Sequence, residues 1–109
     1  MAYTVTGIER ETDDQGFLRE PDYSDEVVRV IAAAENIVLT DAHWEVINHL
    51  RDEYREHGHT PNFRNLLKAM AELHPGTDSK ALYDLFPMGP AKQACKVAGL
   101  PQPLGKGGY

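Results

Sequence analysis

The chain has 109 residues, 41% hydrophobic and 26% charged, with a formal net charge of −6. That is enough for one domain with its own core, and no apolar run approaches the roughly 20 residues of a membrane span. One cysteine, Cys95, excludes an internal disulfide framework; with no signal-peptide pattern at the start, a cytoplasmic, reducing compartment is the expectation.

The first stretch, YTVTGIERETDDQGFL, alternates Tyr3 and Val5 with Thr4 and Thr6 and carries a turn cluster at Asp13–Gly16 before Phe17 and Leu18. This predicts a small β-hairpin or two short strands. Helices follow. Ser24 caps the first, with Asp25 and Glu26 near the positive end of its dipole and Val27, Ile31 and Ala34 on one face. Thr40 caps a longer helix with an apolar stripe at Trp44, Ile47, Leu50 and Tyr54, ending near Gly58. Pro61, after Thr60, takes the first position of a third helix, whose core face is Phe63, Leu66, Leu67, Met70 and Leu73. Pro75-Gly76 stops it. A short helix starting at Thr77 or Asp78 turns Leu82, Leu85 and Phe86 inward and stops at Pro87. The last helix runs from Gly89-Pro90 through Cys95 to Gly99. Beyond Gly99 no helix is expected.

The charge is uneven. Residues 1–27 hold eight acids and two arginines, whereas residues 87–109 hold three lysines and no acidic side chain. A locally basic tail on an acidic body can be steered toward an acidic partner or serve only as solubilising charge.

Cys95 is the first chemical candidate. Lys92, three residues before it, and Lys96 beside it would favour the thiolate if they approached the sulfur, while Ala91, Ala94, Val97 and Ala98 suggest a buried, inert cysteine. The histidines at His57, His59 and His74 match no metal-binding spacing, and no metal or cofactor is expected. His57 and His59 fall where a histidine complements the negative end of a helix. The helix pair over residues 61–86, with Arg64 and Lys68 one turn apart on its outer face, has the outline of a DNA-binding helix pair without the strong basic stripe that DNA binding usually requires. The GGY end is unlike a diglycine sulfur carrier, which needs a terminal glycine carboxylate where this chain has Tyr109.

The segments GFL, LTDAHWEVINHLRDEY, LYDLFPMGPAKQACKVAGLPQP and LG resemble the DsrC/TusE family of small sulfur-relay proteins, also known through the gamma subunit of dissimilatory sulfite reductase. The resemblance spans nearly the whole chain. It implies a mainly α fold, a small orthogonal bundle of about five helices with a short N-terminal β-hairpin, over residues 1–98, and a flexible C-terminal arm over 99–109. In the family the arm carries a next-to-last cysteine that accepts sulfur as a persulfide or is delivered to a siroheme sulfite reductase. In the DsrC branch an upstream cysteine pairs with it. Here Cys95 matches the upstream cysteine, and Lys106 stands where the tip cysteine is expected. The resemblance therefore implies a protein without a self-contained active site that binds sulfite reductase or sulfurtransferase-type partners; a monomer is the simplest expectation. Lys106, Lys92, Arg64 and Lys68 are its candidate contact residues. Two rivals remain open at this point: a single-thiol persulfide carrier using Cys95, and a DNA-binding regulator using the 61–86 helix pair. The arm's eleven residues would reach about 35 Å at roughly 3.3 Å each, with Pro101 and Pro103 stiffening it.

Overall fold

The structure, a computed structural model, describes residues 2–102. It opens with strands β1 (Ala2–Val5) and β2 (Ile8–Glu11), paired antiparallel with Tyr3 opposite Arg10 and Val5 opposite Ile8. The reversal falls at Thr6-Gly7, both at positive φ (50° and 80°), the backbone of a tight two-residue hairpin turn. The composition-based turn at Asp13–Gly16 is real but does a different job. Asp13 Oδ1 accepts the N–H groups of Gln15 (2.9 Å) and Phe17 (3.1 Å), folding the chain back so that Leu18 bridges Thr12. Phe17 and Leu18 thereby enter the core. The polar cluster stands out in the sequence because it is rich in turn formers. The hairpin's own turn rests on a single glycine after a β-branched residue, a weaker signal.

Five helices follow: α1 (Asp25–Ala34), α2 (Asp41–His57), α3 (Phe63–Leu73), α4 (Ser79–Leu85) and α5 (Pro90–Val97). Three of the caps are side-chain oxygens accepting a backbone N–H. Ser24 takes that of Val27 (3.3 Å), Asn62 that of Asn65 (2.9 Å) and Asp78 that of Ala81 (2.9 Å). Helix α3 starts two residues later than Pro61 predicts, because Asn62 supplies the cap that Thr60 was expected to give. At the head of α2 the Thr40 N–H donates to His43 Nδ1 (3.1 Å), so the imidazole proton sits on Nε2 and donates to Leu85 O at 2.9 Å. His43 thus ties α2 to the end of α4.

Helix α5 is the centre of the bundle, packing against α1, α2, α3 and α4. Its small residues Ala91 and Ala94 allow those neighbours to come close, and with Pro90, Gln93, Cys95 and Val97 they are buried. The rest of the core comes from Val27, Val28 and Ile31 of α1, Val46, Ile47 and Leu50 of α2, Leu66 and Met70 of α3, and Leu82 and Phe86 around α4. Two expected core positions differ: Ala34 and Leu73 are exposed, each at the last position of its helix, where the chain has already turned off the bundle. No helix among the described residues is long and apolar enough to cross a membrane.

Candidate functional site: the root of the C-terminal segment

The chain leaves the bundle at the C-terminus of α5, and this exit is pinned from three directions. Ala98 closes the helix, and Gly99 turns the backbone at φ 79°, a left-handed conformation that favours glycine. The turn lets Leu100 N–H donate back to Cys95 O (3.1 Å), and it buries Leu100 completely. From the N-terminal side, Asp22 N–H donates to Gly99 O at 2.8 Å. From α2, Arg51 reaches in with its guanidinium. Its Nε donates to Ala98 O (3.0 Å), Nη2 to Ser24 O (2.8 Å) and Nη1 to Asp25 Oδ1 (3.3 Å). One rigid planar group therefore joins three parts of the chain. Burial pushes the Arg51 pKa down, and Asp25 works against that shift. Farther out, Gln102 Nε2 donates to Gln15 Oε1 (3.1 Å), setting the departing segment beside the Asp13–Gly16 turn.

Cys95 lies directly beneath this root with no exposed surface. Its Sγ–H donates to Thr60 Oγ1 at 3.2 Å, in the loop between α2 and α3. Burial pushes the thiol up to about 12, with Thr60 opposing only part of that shift. The neighbouring lysines do not rescue the thiolate. Lys96 turns to Glu35 (3.5 Å) and covers the Phe17 ring (5.3 Å to its centroid), while Lys92 is half-buried. A thiol in this state is a poor nucleophile at neutral pH. Native protein should accordingly react with a maleimide only as fast as it unfolds, with little change in rate between pH 7 and 9, and denatured protein should label at once. Intact mass spectrometry reads this directly; fast native labelling that rises steeply with pH would show that the thiol is open to solvent.

Of the other residues singled out from sequence, Arg64 and Lys68 are exposed on α3. They share the α3–α4 pair with Lys80, which is held by Asp84 at 3.0 Å, and with Glu72 and Asp78, so the face is mixed in charge. Lys106 lies outside the described residues, as do Pro103 and Tyr109. Between α2, α3 and α4 an open apolar groove of about 330 Å³ is lined by Ala42, Val46, Met70, Leu82 and Leu85, with an exposed Glu45–His74 pair at its rim. Arg51 and His43 are buried polar residues that tie elements together around this corner, and the sequence signals neither as such. An arginine in mid-helix gives no signal of burial; His43 was detectable as the third residue after a threonine cap, where a side chain can reach back.

The described chain is thus a small helical bundle around α5, closed at that helix's end by a pinned glycine turn. The family model described as DsrC like protein matches residues 4–105. The chain is 52% identical over 103 residues to the sulfurtransferase TusE homolog of Haemophilus influenzae, covering 91% of this chain and 94% of that one. It is 48% identical over 101 residues to the sulfurtransferase TusE of Escherichia coli K12, covering 90% and 93%. Among solved structures, Allochromatium vinosum DsrC superposes with a TM-score of 0.85 at 44% identity, over 96% of this chain and 98% of that one. The oxidized gamma subunit of the dissimilatory sulfite reductase from Archaeoglobus fulgidus superposes with a TM-score of 0.86 at 36% identity, with the same coverage. The chain belongs to the DsrC/TusE family of sulfur-relay proteins.

Proposed function

We propose that the chain is a carrier-shaped member of the sulfur-relay family that docks on the family's partners, sulfurtransferase or sulfite reductase proteins, without carrying sulfur itself, and so acts as a non-catalytic partner or regulator. The observation that supports this reading is the state of Cys95, the only thiol, buried and with its pKa raised to about 12. Accepting sulfane sulfur requires a thiolate to attack the donor's persulfide. A new S–S bond forms at the acceptor, the donor's S–S bond breaks, and the donor leaves as a thiolate. Lys106, at the position the family resemblance gives to the tip cysteine, offers an ammonium that can pair with an anionic group but cannot form that bond.

The test is a two-part comparison with a persulfide-loaded sulfurtransferase of the TusE relay type. The native chain should co-purify with it at micromolar concentration and gain no mass. Lys106→Cys should gain the mass of one sulfur atom. Absence of binding would overturn the docking reading. A sulfur adduct on the native chain that disappears in Cys95→Ser would transfer the function to the single-thiol carrier.

A further inference from the structure

An apolar surface is left open between three helices. The groove of about 330 Å³ has Ala42 and Val46 on its α2 wall, Met70 on α3, and Ala81, Leu82 and Leu85 on α4. Exposed apolar residues stand at both of its ends. Leu73, the last residue of α3, is 60% exposed. At the other end, His43 ties the start of α2 to Leu85 O, which brings the loop before α2 beside the loop after α4. Those loops carry Val38 and Met88, 84% and 78% exposed. Single exposed apolar side chains are ordinary, but three at the ends of one apolar groove mark a binding surface. The free charge beside it is negative. Asp41 opens α2 next to Ala42, and Asp78 caps α4; both are exposed, and among the described residues neither forms an ion pair. The basic groups nearby are engaged, His74 by Glu45 and Lys80 by Asp84.

We propose that this groove docks a basic amphipathic helix of a partner protein. All three walls are helices, whose backbone groups are bonded internally, so they give an extended segment nothing to pair with. An apolar segment entering the groove must satisfy its own N–H and C=O groups, as a helix does. The volume suits side chains rather than a whole ligand. A cavity of about 150 Å³ holds a benzene ring, so the groove takes about two apolar side chains, such as a pair one helical turn apart. Lysine or arginine flanking that stripe meets Asp41 and Asp78, whereas an acidic helix is repelled. Both aspartates also serve the starts of their own helices; the apolar floor marks the surface, and the charge selects the partner. A second copy of the chain is a poor occupant, because two such grooves face to face bring the same aspartates together. The groove shares no residue with the Gly99 turn, and the inference does not rest on the sulfur-relay reading.

The probe is a synthetic peptide of about 15 residues, with leucine on one helical face and lysine on the other; a second peptide replaces every lysine with glutamate. Titrated into the full chain and followed by amide NMR, the lysine peptide should saturate with a Kd below about 1 mM and shift the amides of Ala42, Val46, Leu82 and Leu85. The glutamate peptide should bind about tenfold more weakly. Ala42→Gln, which puts a longer side chain at an exposed lining position, should weaken the lysine peptide about tenfold. Asp41→Asn with Asp78→Asn, which keeps a capping side chain at α4, should weaken it about fivefold. Glu9→Gln with Glu11→Gln, which removes the same charge from β2, should bind it like the native chain. Circular dichroism of each variant confirms the fold. Equal affinity for the two peptides, or equal affinity in the native and Ala42→Gln proteins, would overturn the proposal, as would an absence of saturable binding. A dimer in sedimentation that Ala42→Gln abolishes would also overturn it and give the groove to a second copy.

Discussion

Gly99→Ala should lower stability by about 3 kcal/mol or more, and the melting temperature by roughly 12–24 °C for a domain of this size. Two costs add. A φ of 79° disfavours any Cβ by about 1–2 kcal/mol. The Cβ would also stand 2.4 Å from Asp22 O and 2.8 Å from Val27 Cγ1, and forcing atoms into packed surroundings costs about 1–3 kcal/mol. Neither neighbour can retreat cheaply: Asp22 is held by its own N–H bond to Gly99 O, and Val27 is fully buried. Gly58→Ala is the matched control, with φ 75° and nothing within 4 Å of the added atom, so it should lose only the backbone share, about 1–2 kcal/mol. Thermal and urea unfolding of the pair decide the matter, and equal losses would show that the close approach of residues 22 and 99 carries no energy.

Arg51→Met should cost about 1–3 kcal/mol, although methionine matches the apolar length of the arginine stem. The loss comes from the acceptor left behind in the core. Ala98 is fully buried, and a buried acceptor without a donor costs roughly 1–3 kcal/mol, whereas Ser24 is exposed and its carbonyl can turn to water. Asp25 is mostly exposed and returns to water at little cost. Arg51→Lys should recover less than half, because one ammonium cannot serve two carbonyls on two segments with the fixed spacing of a guanidinium. Urea midpoints measure the energy, and amide exchange at Leu100, whose N–H closes the turn onto Cys95 O, measures the root itself. If Arg51→Met left both unchanged, the guanidinium would be a passenger in this corner of the molecule.

Most of the helical layout was readable in advance because its punctuation is local. Ser24, Asp78, Gly58 and the Gly89-Pro90 pair each act within one turn of chain, and they start or stop helices where local rules place them. Errors arose where two local rules competed, as at Thr60–Asn62, or where a signal was sound but its consequence was tertiary, as at Asp13–Gly16. The site divides the same way. Gly99 was visible as a helix terminator. That it is also a contact between residues 22 and 99, and that Arg51 closes over it, depends on pairings far apart in the chain that no spacing rule encodes. For Cys95 the sequence held two opposed hints, flanking lysines and flanking alanines. The fold gives the lysines to other partners and the alanines to the core.

The central position of α5 has a consequence for how the molecule comes into being. The helix that the other four pack against is the last of the five in chain order, so it is made after them. Bonds such as Gln102 to Gln15 and Arg51 to Ala98 join segments 87 and 47 residues apart. Contacts of such long separation slow folding, because the chain must close large loops before they form. A nascent chain stopped before residue 90 has α1 to α4 but nothing to gather them, and their inward faces stay wet. Folding therefore waits for α5, and the turn at Gly99 that packs against residue 22 forms only on a finished body.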